Sequence, residues 1–194
     1  MALILASQSP RRRELLGQMG LTGFVVRPAV GEEKADPSLS PDRLVEALSA
    51  QKGLEVAAVS DPGDLVIAAD TVVAVDGQVL GKPQDRADAL RMLAALSGRA
   101  HTVYTGVTLC RDGAVLTQHE ATQVRFRTLT PAEMEAYVDT GEPMDKAGAY
   151  GIQEGGAFMV QGIRGSWSTV VGLPLDIVLE RLLAAKVLKL NESR

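Results

Sequence analysis

The chain is poor in the residues that several protein classes depend on. It contains one cysteine, Cys110, and two histidines, His101 and His119. One thiol cannot form an internal disulfide, and the histidines lack the spacing of metal ligands. A lone cysteine favours a reducing compartment. Any metal site is expected to use oxygen ligands, which suit Mg²⁺ or Mn²⁺.

The sequence also lacks a basic excess and long apolar runs. Lys plus Arg is 20 against 24 Asp plus Glu, and there are only one Trp, three Tyr and three Phe. Nucleic-acid and membrane-surface binders need positive charge, and single-strand binders need stacking aromatics. The run Ala2–Ala6 is too short for a signal peptide, and charged residues interrupt the apolar segment Leu173–Leu190. We therefore expect a cytoplasmic protein that binds neither membrane nor nucleic acid.

What is present indicates a single α/β domain over residues 1–194. The apolar runs Leu3–Ala6 and Leu65–Ala69 predict buried strands, the second ending at Asp70. The pairs Asp76–Gly77 and Asp112–Gly113 predict hairpin turns. Because crossovers and hairpins are both expected, the sheet should be mixed.

The remaining elements follow from periodicity and end signals. Strands are also predicted over Phe24–Arg27 and Phe158–Ile163. Helices are predicted over Arg11–Met19, Pro41 to about Val59, Gln84–Leu96, Pro131–Thr140 and Pro174–Leu190. The Gly-rich segment from Gly141 to Gly156 is expected to be a functional loop.

The first candidate site is the segment Ser7–Arg13. Ser9 is the expected N-cap and Pro10 the first residue of the helix. Three arginines in the first turn oppose the helix dipole, which makes sense if an anion such as phosphate binds there. The alternative is a solvated helix start whose arginines pair with nearby carboxylates.

Asp70 and Lys52 are the next candidates. A carboxylate at the end of a buried strand can hold a divalent cation or accept a proton from water, although such residues often cap a turn instead. Lys52 shares a helix face with Val45 and Leu48, so it either extends its amine to solvent or meets a buried anion. The pattern Ser49-x-x-Lys52 matches acyl enzymes, but the companion motifs of that class are absent and we treat it as chance.

The residues alone leave open whether Lys82 and the pair Glu32–Glu33 belong to a site or face solvent. Pro83 keeps Lys82 extended, so its amine either enters a cleft or is simply exposed. The segment Gly77–Lys82 is not a P-loop, because its glycines are too close and Pro83 stands where a hydroxyl should bind magnesium. One of the two glutamates could join Asp70 at a metal, or both could face solvent.

Gln153 lies in the Gly-rich segment and offers both a donor and an acceptor, which suits the edge of a nucleobase. The alternative is a structural loop in which Asp145 and Lys146 pair with each other.

Together these segments resemble the Maf family of nucleoside triphosphate pyrophosphatases, also called septum formation inhibitors. The motifs that carry the resemblance, in order, are Leu5–Arg12, Ala69–Val73, Gly81–Pro83, Leu96–Arg99 with His101, Gly141–Pro143, Asp145–Gly151 and Val171–Pro174. The resemblance implies an inosine-triphosphatase-like α/β fold with a cleft between two lobes, a divalent metal (Mg²⁺ or Mn²⁺) and a homodimer. It also implies cleavage of a nucleotide to its monophosphate and pyrophosphate. The segment Asp145–Gln153 is similar to the branch that prefers dTTP and UTP.

The resemblance also implies roles for individual residues. Asp70 corresponds to the general base. We expect Asp70 and Glu33 together to hold the metal. The positions implied to set base specificity are Arg11, Thr71 and Gln153; the remaining cleft positions are Ser7, Arg12, Glu33, Lys52 and Lys82. Two residues depart from the family pattern, Glu154 for Gly and Trp167 for Tyr, and bear on substrate preference. A competing function is a nucleotide-sensing regulator of septum formation without significant turnover.

Overall fold

A mixed β-sheet with helices on both faces organises the chain in the computed structural model, which describes residues 1–34, 36 and 38–187. Its strands are β1 (Leu3–Leu5), β2 (Val25–Val26), β3 (Leu65–Val75), β4 (Gln78–Leu80), β5 (Ala100–Arg111), β6 (Ala114–Phe126) and β7 (Val160–Arg164). Its helices are α1 (Pro10–Gln18), α2 (Pro41–Ala57), α3 (Arg86–Leu96), α4 (Pro131–Val138), α5 (Trp167–Val171) and α6 (Leu175–Ala184). The predicted mixed α/β class is confirmed.

The sheet changes from parallel to antiparallel at β3. Strands β2, β1 and β3 are parallel, whereas β3, β5, β6 and β7 pair antiparallel in that order, and β4 pairs with β3. Strand β1 stops at Leu5, which pairs with Ile67, and β4 joins only at Val73. On the edge of β3 that faces away from β5, the described residues place no strand between these two points, and a cleft opens there.

The prediction that the strand beginning at Leu65 ends at Asp70 is wrong. Strand β3 continues to Val75 because it pairs with β5 along its length, with Asp70 opposite Gly106 and Thr71 opposite Thr105. Asp70 therefore lies in the middle of a strand. Its place at the cleft comes from the early end of β1 and not from the end of β3.

Local signals identified most boundaries. The Ser9 hydroxyl accepts a hydrogen bond from the Arg12 N–H at 3.5 Å, with Pro10 as the first residue of α1. Both predicted hairpin turns have two consecutive positive φ angles, 51° and 76° at Asp76–Gly77 and 48° and 81° at Asp112–Gly113. These are the backbone angles that an Asp–Gly pair tolerates.

The C-terminal helix is shorter than predicted, because α6 ends at Ala184 and Lys186 has a φ of 57°. The last predicted residues, 188–190, lie outside the described residues. Helix α3 begins at Arg86 instead of Gln84, because the Asp85 carboxylate caps it. The short helix α5 carries no sequence signal and was not predicted. The Gly-rich loop contains three short 3-10 turns, at Glu142–Asp145, Ala147–Ala149 and Gly155–Met159.

Helix α2 packs closely across the face of β3 and β5. A Cβ atom at Gly106 of β5 would collide with the backbone carbonyl of Val45, so the glycine permits this close approach. The same packing places Lys52 over Asp70. In the described part of the chain, no helix combines the length and apolarity that crossing a membrane requires.

Candidate active site

One cleft of about 780 Å³ opens beside the middle of β3, between the start of α1, helix α2 and the Gly-rich loop. All nine residues selected from the sequence line it: Ser7, Arg11, Arg12, Glu33, Lys52, Asp70, Thr71, Lys82 and Gln153. The structure thus brings them together from six separate segments. Their individual roles stay predictions.

Lys52 lies between the two candidate acids. Its Nζ is 2.6 Å from Asp70 Oδ1 and 2.8 Å from Glu33 Oε1. The side chain of Asp70 is only 11% exposed, whereas that of Glu33 is 55% exposed. Of the two alternatives for Lys52, the structure supports the buried anion. Of the two glutamates, it is Glu33 that faces Asp70, while the backbone carbonyl of Glu32 accepts a hydrogen bond from the Gln51 amide.

The donor set fits a hard divalent cation in part. Glu33 and Asp70 offer carboxylate oxygens around a single point, but Lys52 Nζ lies at that point. Among the described residues, no group of three or more His, Cys, Asp or Glu side chains could hold a metal ion. A cation there would take its other ligands from water and from a bound phosphate group, as Mg²⁺ commonly does.

Arg12 is committed to the protein on three sides. Its Nε donates to the Gly172 carbonyl at 2.7 Å, and its two terminal nitrogens donate to Ser7 Oγ at 3.2 Å and to Thr71 Oγ1 at 3.1 Å. Burial lowers the pKa of Arg12, which the nearby Asp70 carboxylate opposes. The guanidinium is therefore held rigidly at the base of the cleft, beside the N-terminus of α1.

Arg11 reaches across the cleft to the Gly-rich loop. Its NH1 atom is 3.0 Å from Asp145 Oδ2, and Lys146 Nζ is 3.0 Å from the other oxygen of that carboxylate. Burial acts to raise the pKa of Asp145, but the hydrogen bonds from Lys146 and Arg11 outweigh it and keep that pKa below its usual value. The ion pairs that were stated above as alternatives to ligand binding are thus both observed. Arg11 pairs with a carboxylate, and Asp145 pairs with Lys146.

Lys82 and Gln153 line the cleft on the side of the Gly-rich loop. Lys82 is exposed and Gln153 is half-buried, and neither makes a hydrogen bond or ion pair within the described ranges. The carbonyl of Gly81 accepts a hydrogen bond from the Gly148 N–H at 3.0 Å, which ties the Lys82 segment to the Gly-rich loop. Both side chains are therefore positioned to contact a ligand.

The side chain of Glu142 holds the Gly-rich loop in place through hydrogen bonds. Its carboxylate accepts hydrogen bonds from the Tyr137 hydroxyl at 2.8 Å and from the backbone N–H groups of Gly155 and Gly156 at 3.0 and 3.2 Å. The Tyr137 hydroxyl in turn accepts from the Gly151 N–H at 3.0 Å. Burial raises the pKa of Tyr137, and so does the hydrogen bond to Glu142. This network braces the segment that carries Gln153.

Two residues behind the lining of the cleft, Thr105 and His101, received no role in the site from the sequence, although His101 belongs to one of the motifs quoted above. Thr105 on β5 lies behind Thr71, with their hydroxyl oxygens 3.0 Å apart, and its position in an alternating strand resembles any other. His101 is buried against Tyr150, a residue that lines the cleft, with Nε2 2.9 Å from the phenol oxygen. A buried polar residue on an inward-facing strand position is the one signal that could have identified Thr105.

The other marked positions lie beside the site or away from it. Glu154 pairs with Lys146 at 3.5 Å. This departure from the family pattern therefore extends the ion pairs that Asp145 makes with Arg11 and Lys146. Trp167 begins α5 and is 40% exposed. Ser49 is fully buried, and its hydroxyl donates to the Glu46 carbonyl, which agrees with a chance match to the acyl-enzyme pattern.

Comparisons with known proteins agree with the resemblance. A family model described as "Maf-like protein" matches residues 2–185. A dTTP/UTP pyrophosphatase of Moorella thermoacetica is 54% identical over 185 residues, covering 94% of this chain and 93% of that protein. Proteins of the same name are 52% identical in Symbiobacterium thermophilum, covering 93% of this chain and 92% of that protein, and in Vibrio cholerae, covering 89% and 92%.

Among solved structures, a nucleoside-triphosphatase / dITP/XTP pyrophosphatase from Mycobacterium abscessus aligns with 97% of this chain and 98% of its own. The TM-score is 0.44 and the sequence identity 16%.

Proposed function

This chain belongs to the Maf family, and we propose that it hydrolyses dTTP and UTP to the monophosphate and pyrophosphate. Relatives at about half identity over most of the chain bear the name dTTP/UTP pyrophosphatase. The observation that carries the proposal is the Lys52 amine between Asp70 and Glu33 at the centre of a cleft lined by further cations. A site that only bound phosphate would not benefit from carboxylates at its centre.

The cations would neutralise the triphosphate. Arg11 and Lys82 face the cleft from different segments, and Arg12 is fixed beside the N-terminus of α1, whose dipole also favours an anion. Positive groups held in place before the substrate arrives stabilise charge as it develops on the phosphate oxygens. Arg11 would have to exchange its contact with Asp145 for a contact with the ligand.

Asp70 would act as the general base. Lys52 holds its Oδ1 atom at 2.6 Å, which leaves the other oxygen to accept a proton from water. The water oxygen would bond to the α-phosphorus while the bond from that phosphorus to the bridging oxygen breaks. Pyrophosphate would leave with the electron pair, and the proton would reside on Asp70.

Glu33 and Asp70 are the residues that would hold a divalent cation, Mg²⁺ or Mn²⁺. When bound, such an ion supplies charge neutralisation at the phosphates and a more acidic water. Lys52 must move from between the two carboxylates, or share them, when the ion arrives with the nucleotide.

The Gly-rich loop would select the base. Gln153 lines the cleft with an amide whose NH₂ group can donate to a carbonyl oxygen of a uracil or thymine base. The brace from Glu142 would keep this amide in place.

Incubation with Mg²⁺ or Mn²⁺ and a panel of nucleoside triphosphates tests the proposal. Release of pyrophosphate and monophosphate should be fastest from dTTP and UTP. Release from none of the triphosphates would refute it. Binding of nucleotide without release would instead support the competing function, a nucleotide sensor in septum formation.

A further inference from the structure

A chain of hydroxyl groups leads from the cleft into the interior of the protein. Thr71 Oγ1, at the cleft, is 3.0 Å from Thr105 Oγ1. Thr105 Oγ1 donates to the backbone carbonyl of Thr169 at 2.8 Å. Thr105 and Thr169 are both fully buried, so water cannot replace the hydrogen bond between them.

The direction of each hydrogen bond between these groups follows from which of them has a hydrogen to donate. A carbonyl oxygen can only accept, and a threonine hydroxyl has one hydrogen to donate. The Thr169 carbonyl needs that hydrogen, because the backbone N–H groups of Gly172 and Leu173 both bond to the Ser168 carbonyl instead. A buried carbonyl without a donor is costly. The hydrogen of Thr105 is therefore used on Thr169.

Thr71 must then donate its own hydrogen to Thr105. Its oxygen is left with two lone pairs, and one of these accepts from Arg12 at 3.1 Å. Toward the cleft, Thr71 can therefore only accept a hydrogen bond. Phosphate oxygens are themselves acceptors at neutral pH, so Thr71 cannot bond to the triphosphate of a ligand. The group that it faces must be a donor.

We infer that Thr105 is a positioning residue for base selection: it sets Thr71 as an acceptor for the N3–H of a uracil or thymine base. This inference rests on the proposed function. Cytosine has no hydrogen on N3, so the same oxygen would meet a second acceptor and repel it. Discrimination would thus originate in a buried residue that never touches the nucleotide.

The substitution Thr105→Val tests the inference, because valine keeps the shape and removes the hydroxyl. The hydrogen of Thr71 then becomes free to turn toward the cleft, and the acceptor is no longer enforced. Non-hydrolysable α,β-imido analogues of UTP and CTP, titrated with Mg²⁺ by calorimetry, report the ratio of the two affinities. We expect the wild-type preference for the uridine analogue to fall roughly fivefold, the size of one ordinary hydrogen bond. Thr105→Ser should retain it.

Thr108→Val is the matched control. Thr108 lies on the same strand, is equally buried and uses its hydroxyl with Ser49 and Thr117, away from the cleft. A loss of stability lowers the fraction of folded protein in either variant, but the ratio of two affinities on one sample is insensitive to it. The ratio should stay at the wild-type value in Thr108→Val.

Three results would overturn the inference. The first is an unchanged ratio in Thr105→Val, and the second is a wild-type ratio near one. The third is equal wild-type affinity for the uridine analogue and its N3-methyl derivative, which would assign the donor to a sugar hydroxyl. These are binding measurements, so they are decided independently of pyrophosphate release, on which the proposed function depends.

Discussion

At the scale of single residues, the proposed chemistry depends on Asp70, whose carboxylate lies 2.6 Å from the Lys52 amine. Asp70→Asn preserves the shape and the contact with Lys52 but cannot accept a proton. We expect kcat with UTP to fall by about 10²- to 10⁴-fold, the usual contribution of a general base. Nucleotide binding, measured by calorimetry without a divalent cation, should not weaken, since the variant removes a negative charge from an anion site.

Glu32→Gln is the control for that experiment, because it removes one negative charge near the cleft without removing a cleft residue. Its kcat should equal that of the wild type. Full activity of Asp70→Asn would show that another group accepts the proton.

His101 makes stability depend on pH. It is 3% exposed, packs edge-on against Phe126 and Tyr150, and its Nδ1 has no hydrogen-bond partner within the described residues. Burial lowers its pKa from 6.5 to about 4. The unfolded chain therefore gains a proton first as the pH falls through 6.5, and the folded protein only near 4. Stability contributed by the neutral ring is lost across that window.

Between pH 7.5 and 5 this loss amounts to about 2 kcal/mol. Urea unfolding at both pH values measures it. His101→Gln, which can keep a hydrogen bond to Tyr150, should remove this part of the pH dependence, whereas His119→Gln should retain it because His119 is partly exposed. Equal pH dependence in all three proteins would mean that His101 titrates normally.

At the scale of elements, the Gly-rich loop depends on one carboxylate. Glu142→Gln keeps the size of the side chain but replaces one acceptor oxygen with a donor, so the N–H groups of Gly155 and Gly156 compete for the remaining oxygen. We expect their hydrogen exchange to accelerate about tenfold, which corresponds to about 1.4 kcal/mol. NMR exchange rates measure this.

Glu135→Gln, an exposed position on α4, is the matched control and should leave those two rates unchanged. If the loop were braced elsewhere, both variants would exchange at the wild-type rate. If the brace serves base selection, Glu142→Gln should also lower the preference for UTP over CTP.

Elements with local signals were predictable, and those shaped by neighbours were not. The Asp76–Gly77 turn and the Thr130 capping box at α4 depend on backbone groups within a few residues. Strand β3 differs, because Asp70 and Thr71 look like a strand end in the sequence. Only the ladder with β5 extends the strand through them. The end of α6 was likewise missed, since Lys186 adopts a positive φ without a glycine.

At the scale of the whole molecule, ligand binding should stabilise the fold because the cleft joins segments from both ends of the chain. Mg²⁺ alone should shift the thermal unfolding midpoint little, since Lys52 already pairs with the two carboxylates. Mg²⁺ with the α,β-imido analogue of UTP should raise it clearly. A ligand at 100 times its Kd contributes about 2.7 kcal/mol.

Differential scanning calorimetry under four conditions measures these shifts: protein alone, Mg²⁺, analogue, and both. Uridine with Mg²⁺ is the control that lacks phosphates and should give a small shift. A large shift with Mg²⁺ alone would mean that the protein forms a complete metal site without nucleotide.

The sequence by itself determined which residues belong to the candidate site. Motif and residue type singled out Arg11, Lys52, Asp70 and Gln153, and the net charge of −4 excluded a general polyanion binder while leaving room for a local cationic cleft. Such signals survive in a sequence because they depend on the chemical nature of a side chain and on the backbone preferences of its neighbours.

Only the tertiary structure decided how these residues meet. The pairing of Lys52 with both Asp70 and Glu33, the reach of Arg11 to Asp145, and the hydroxyl chain through Thr105 join positions far apart in the sequence. These contacts depend on strand register and on the close packing that Gly106 allows α2. Periodicity along one segment reports which face is buried, but it carries no information on which distant segment covers that face.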